Sequence, residues 1–268
     1  MFNKIIKIIT IVMILLLTLT MFSGCGEKSL TQEEAYKIYY GTIEKFVPEI
    51  MSEPQECDVE ITTRDEVTFL TENFTRNSYT KIQSQNADGE LQYYLLNEFP
   101  EAEKMSFYCI DDNKFYVISS AKLNEKGTLV ERNIQMMPSY LFAYLNTPFF
   151  KEDAIKSFEV EQKDADTVIS FIVDGTKMEE GYDTRVMAEI SPSIEDELDD
   201  VEIILTLDEN NTPKTMSTKI SMSMFNNSGK LHAQKTLNMN FVFNKLDNVD
   251  LNLKEVASKY ANDVSIIQ

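Results

Sequence analysis

The stretch TMSTKISMSMFNNSGKLHAQKTLNMNFVF, from Thr215 to Phe243, decides the fold. Met216, Thr218, Ile220, Met222 and Met224 alternate with Thr215, Ser217, Lys219, Ser221 and Ser223. After Asn226-Asn227-Ser228-Gly229, Leu237, Met239, Phe241 and Phe243 alternate with Thr236, Asn238 and Asn240. A period of two sends successive side chains to opposite faces of a sheet, and two such runs about an Asn/Gly turn predict a β-hairpin. One face of it is wet; the other is apolar and rich in Met.

Working outward, Val201–Leu207 reads as a strand ending in the polar turn Asp208-Glu209-Asn210-Asn211. Further strands are predicted at Asp58–Thr63, Glu66–Leu70, Ser78–Ser84, Leu91–Asn97, Lys104–Ile110, Lys114–Ser120, Ser157–Gln162 and Thr167–Val173. Turn residues separate them, and β-forming aromatics such as Tyr93, Tyr94, Phe107, Tyr108, Phe115 and Tyr116 fill them. Thr31-Gln32-Glu33-Glu34 is a capping box, and Ala35, Ile38, Tyr39, Thr42, Ile43 and Phe46 recur at helical spacing until Pro48. A polar helix-like stretch runs from Thr176 to Ile190, and a short helix from Lys254 to Ala261 closes the chain. The class is α+β, one mostly antiparallel sheet with a few helices.

Met136-Met137-Pro138-Ser139 opens a segment that is apolar nearly all round: Tyr140, Leu141, Phe142, Ala143, Tyr144, Leu145, Phe149 and Phe150. Such a helix must be buried. It is either an ordinary core helix or a plug or lid inside an apolar cavity. Glu195-Asp196-Glu197, Asp199-Asp200 and Glu202 lack the alternating ligands and glycine of a calcium loop, which favours a solvated connector.

At the other end, Lys4 and Lys7 precede an uncharged apolar run from Ile8 to Phe22 and then Ser23-Gly24-Cys25-Gly26. A basic start, an apolar stretch and small residues before a cut are the marks of an export signal. Ser-Gly-Cys resembles the lipobox of bacterial lipoproteins, with Phe22 where Leu is usual. The resemblance implies cleavage after Gly24, acylation of Cys25 by palmitate-class chains, and a tether at residues 25–30. A retained signal anchor is the alternative, since the uncharged stretch from Ile8 to Gly26 is long enough to span a bilayer. Lipidation predicts a place in the cell envelope, on the outer face of the cytoplasmic membrane. A net charge of −19 excludes binding to nucleic acid or to anionic lipid through the chain's own charge.

With Cys25 acylated, Cys57 and Cys109 are left as a disulfide pair or as two small buried hydrophobes; neither has the spacing of a zinc site. His232 is the single histidine, placed on the hairpin without a nucleophile motif, and no phosphate loop or metalloprotease motif occurs. The chain reads as no enzyme and as needing no cofactor or metal.

The whole layout, from Cys25 through the early helix and successive strands to Leu205–Lys214 and the long alternating hairpin, resembles the LolA/LolB-like lipoprotein carriers. The resemblance covers most of residues 31–268 as one domain. It implies a curved half-barrel of antiparallel strands wrapping the helices, with an apolar cavity able to hold acyl chains, and it brings no catalytic residues. Such a sheet would set Met216, Ile220, Met222, Met224, Met239 and Phe241 on its concave side, with Tyr140, Leu141, Phe142 and Tyr144, either as core packing alone or as the lining of a cavity that adapts to a lipid-like ligand. Two functions stay open: binding of a lipid or other hydrophobic molecule, and a non-enzymatic interaction or sensor domain that docks to a protein partner.

Overall fold

A computed structural model describes residues 30–45, 56–69, 72–87, 90–111, 114–136, 148, 150–178, 195–226, 228–245 and 251–267. The expected signal, Cys25 and the segment from Tyr140 to Tyr144 lie outside the described residues, as does most of the stretch from Thr176 to Ile190. Among the described residues no helix is long and apolar enough to cross a membrane.

Among the described residues there are twelve strands: β1 (Cys57–Phe69), β2 (Asn73–Ala87), β3 (Glu90–Phe99), β4 (Lys104–Asp111), β5 (Lys114–Lys122), β6 (Val130–Arg132), β7 (Ile155–Lys163), β8 (Asp166–Val173), β9 (Glu195–Leu198), β10 (Val201–Leu207), β11 (Pro213–Phe225) and β12 (Leu231–Phe243). Every pairing between them is antiparallel. The path runs β6-β5-β4-β3-β2-β1-β12-β11-β10-β8-β7, with β9 also on β11; the ends do not meet, so the sheet is open. The described helices are α1 (Gln32–Glu44) and α2 (Leu253–Tyr260). The described residues are therefore mostly β, where an α+β class was expected.

The hairpin has the register its alternation predicts, with Met224 opposite Ala233, Ile220 opposite Leu237 and Met216 opposite Phe241. Two corrections concern other strands. The segments expected at Asp58–Thr63 and Glu66–Leu70 are one strand, β1. The acidic run is not a connector: Glu195–Leu198 pairs with Phe225–Met222 of β11, and β10 resumes beside the same strand at Glu202–Lys219.

The face carrying α1 is the inner face. The Thr31 hydroxyl accepts from the Glu34 N–H at 3.2 Å and the Glu34 carboxylate accepts from the Thr31 N–H at 2.9 Å, so the predicted capping box forms. Ala35, Tyr39, Thr42 and Ile43, one helical stripe, are buried. Tyr39 stacks on Phe150 at 5.2 Å and meets Phe171 of β8 edge-on at 5.9 Å. Leu30 packs against the same core, so the folded body begins inside the expected tether.

Of the few helices the sheet was expected to wrap, α1 packs on its inner face, whereas α2 covers the outer face of β3–β5. There Tyr94, Leu96, Met105, Phe107, Cys109, Tyr116 and Ile118 form a second core with Leu251, Leu253, Ala257, Ala261 and Ile267. Outward apolar side chains on those strands need a cover, and α2 supplies it. Phe107 stacks on Tyr260 at 5.2 Å, and the Tyr116 hydroxyl donates to the Ile266 carbonyl at 3.0 Å. Both cores and all described elements lie within residues 30–267, so a chain starting at Gly26 keeps the folded unit.

Candidate functional site

Register brings the inner-face side chains of β11, β12 and β1 into rows: Met216–Phe241–Ile61, Thr218–Met239–Thr63, Ile220–Leu237–Asp65, Met222–Lys235–Val67 and Met224–Ala233–Phe69. Met216, Ile220, Met222, Met224, Met239 and Phe241, expected together, do share one face, and all are buried in the larger core. Beyond them the rows continue through Leu205 and Ile203 of β10 to Ile169 and Phe171 of β8. On the other side they reach Thr80, Asn97 and Ser106, the first two joined by a hydrogen bond of 3.2 Å.

Polar residues interrupt this surface. Lys235 Nζ meets Asp65 Oδ2 at 3.2 Å with both side chains nearly enclosed. Thr63 Oγ1, Asp65 Oδ1 and Thr218 Oγ1 are buried and have no hydrogen-bond partner. The sequence reading missed this group. Its local signal was present: Thr218 and Lys235 hold apolar-phase positions of the hairpin, and Asp65 stands where the predicted strand breaks.

A cleft lies at each end of the strands. One, of about 390 Å³, is lined by Thr42, Cys57, Val59 and Phe243 with a charged rim that includes Lys45, Asp58, Asp208 and Lys245. Phe243 stacks on Phe241 at 6.4 Å, so the cleft adjoins the Met-rich rows. Asp58 accepts from Gln83 Nε2 at 2.5 Å and from Asn244 Nδ2 at 3.0 Å. Backbone N–H groups of Thr212 and Asn210 hold the Asp208 carboxyl below its ordinary value. Both carboxylates are thus spent on the fold, and neither Lys45 nor Lys245 has an ion-pair partner among the described residues. The second cleft, of about 360 Å³, is lined by Arg76, Phe99, Lys104, Ser106, Ser119 and Ser120.

Cys57 and Cys109 are both free and buried. The pairing the sequence allowed is not formed, because Cys57 belongs to the inner core and Cys109 to the outer one. They also sit on β1 and β4, a separation of about 14 Å at the usual strand spacing, where a disulfide needs Cα atoms within about 7 Å. The Cys57 thiol lies 3.1 Å from the Ser84 hydroxyl, and burial pushes its pKa up to about 11. His232, expected on an exposed hairpin, is half-buried and meets the Phe69 ring edge-on at 5.8 Å.

No family model matches this chain, and no curated protein matches it. Among solved structures it is similar to an outer membrane lipoprotein-sorting protein domain from Vibrio parahaemolyticus, at 12% identity and a TM-score of 0.27, covering 85% of this chain and 100% of that one. It is also similar to a DUF1329 family protein from Desulfovibrio piger, at 8% identity and a TM-score of 0.28, covering 87% of this chain and 98% of that one. At such identities and TM-scores neither likeness bears on what this chain binds.

Proposed function

We propose that this chain is a lipid-anchored envelope protein, tethered through Cys25 on the outer face of the cytoplasmic membrane, that holds a lipid or other hydrophobic molecule against the inner face of its sheet. The supporting observation is continuity: the cleft floored by Cys57, Val59 and Phe243 adjoins, through Phe243 and Phe241, rows rich in Met. Its volume of about 390 Å³ falls within the range of small-molecule sites. Met side chains are unbranched and polarizable, so they repack around ligands of varied outline. The role is binding, not catalysis.

The test is to express residues 26–268 in a bacterial host, extract the purified protein with organic solvent and analyse the extract by mass spectrometry. Stoichiometric lipid is the expected result. A folded protein that is empty, and that takes up no acyl ligand when titrated, would overturn the reading. Docking to a protein would then replace it, and β7, which ends the strand path among the described residues, would be the first place to look.

A further inference from the structure

Resting on that reading, we infer that the inner face selects an amphiphile whose head group carries hydrogen-bond donors, a hydroxyl or an ammonium, and places that head against Thr63, Asp65 and Thr218. Buried side-chain polar atoms in folded proteins nearly always have partners, and exceptions call for a cause. Three exceptions fall here on one face of neighbouring strands. Thr63 and Thr218 flank Met239 in one row, and Asp65 is the next inward residue on β1. Asp65 and Thr218 are only 9% and 3% exposed, so bulk water does not serve them.

The chemistry of the group sets the class of ligand. An ionised carboxylate only accepts, and Asp65 already gives Oδ2 to Lys235, which leaves Oδ1 for a donor. A threonine hydroxyl both accepts and donates, so it suits a hydroxylated head as well. A bare carboxylate head could accept from the threonine hydroxyls, but it brings no donor for Asp65 Oδ1 and would approach that carboxylate as a like charge, with Lys235 already engaged by Oδ2. Met239 between the two threonines is the flexible residue that must shift to admit the head. The acyl chain then lies on the apolar rows of Met216, Phe241 and Ile61.

The test uses residues 26–268 and three probes of equal chain length: 1-monopalmitoylglycerol, palmitoyl lysophosphatidylethanolamine and palmitate. The wild type should bind one or both of the first two about tenfold more tightly than palmitate, as one or two hydrogen bonds gained in a dry site would give. Preference for the glyceride alone names the hydroxyl, and preference for the lysolipid alone names the ammonium. Thr63→Val and Thr218→Val, each isosteric, should abolish the preference, leave palmitate binding unchanged and raise the melting temperature of the empty protein, because each removes an unpartnered hydroxyl. Equal affinity for all three probes would overturn the inference while leaving hydrophobic binding intact. So would valine variants that keep the preference, or that melt lower when empty, since the hydroxyls would then be satisfied within the fold. Failure of every probe to bind counts against the proposed function itself.

Discussion

Cys57 and Cys109 show how far one residue type can diverge with its surroundings. Both are buried thiols, but Cys57 borders the larger cleft and hydrogen-bonds Ser84, whereas Cys109 faces the layer sealed by α2. Burial raises both pKa values, that of Cys57 from 9.0 to about 11. The thiolate is the reactive form, so alkylation of Cys57 should be slow at neutral pH and rise about tenfold per pH unit until its pKa is reached. Because the folded pKa lies above the unfolded one, the neutral thiol's contribution to stability is intact below pH 9.0 and is lost as pH climbs through about 11. Timed iodoacetamide labelling of residues 26–268, read by peptide mass, should find Cys57 modified first and Cys109 only on unfolding. A hydrophobic ligand in the cleft should slow Cys57 further. Earlier labelling of Cys109 would mean that α2 does not seal its face.

Among the elements, the break between β9 and β10 depends on a glycine. Gly175, in the turn Gly175–Lys177 after β8, lies against the backbone where β9 gives way to β10, and a methyl group there would overlap the carbonyl oxygens of Leu198 and Asp199. Backbone cannot retreat as a flexible side chain can. Gly175→Ala should therefore destabilise the protein by about 2 kcal/mol or more, measured by urea unfolding. An unchanged midpoint would show that the two segments are not held at this spacing. The same elements show what sequence can and cannot convey. The hairpin was legible because a period of two is local, and α1 because its cap and stripe are. The position of α2 was not read, although its signal was there: Tyr93–Leu96, Phe107–Ile110 and Phe115–Ile118 are unbroken apolar runs, as strands buried on both faces must be. β1 was divided at Arg64-Asp65 because Asp65 breaks the apolar phase. Its partner Lys235 lies on a strand distant in sequence, so no local pattern could join them. Of the candidate site, the Met-rich face was legible and its polar centre was not.

At the scale of the whole molecule, the two halves of the outer face are built differently. Over β3–β5 it is sealed by α2, while over β1, β12, β11 and β10 the described residues leave it exposed and mostly polar, with Thr62, Arg64, Asn240, Thr215, Lys219 and Glu202 beside the exposed Ile204 and Val242. The chain has an acidic excess, 44 Asp and Glu against 25 Lys and Arg. Two electrostatic effects then compete when salt is added. Ion pairs such as Lys81 with Asp58 and Glu60, or Lys156 with Asp174 and Asp200, weaken with screening. Mutual repulsion among unmatched carboxylates weakens too, and that relief favours the compact state. Exposed pairs contribute about 0–1 kcal/mol each, whereas the net charge of residues 26–268, which is −21 because the −19 of the whole chain includes Lys4 and Lys7, acts over every separation shorter than the Debye length, about 10 Å at 0.1 M salt. Repulsion should win, so the melting temperature of residues 26–268 should rise between 10 mM and 0.5 M sodium chloride. Sodium sulfate is unsuitable for this test because it also strengthens apolar burial. A fall in melting temperature would mean that the ion pairs stapling neighbouring strands outweigh the net charge. The same repulsion should keep residues 26–268 off anionic vesicles at low salt, so that under the proposed function attachment to the membrane would fall to an acylated Cys25.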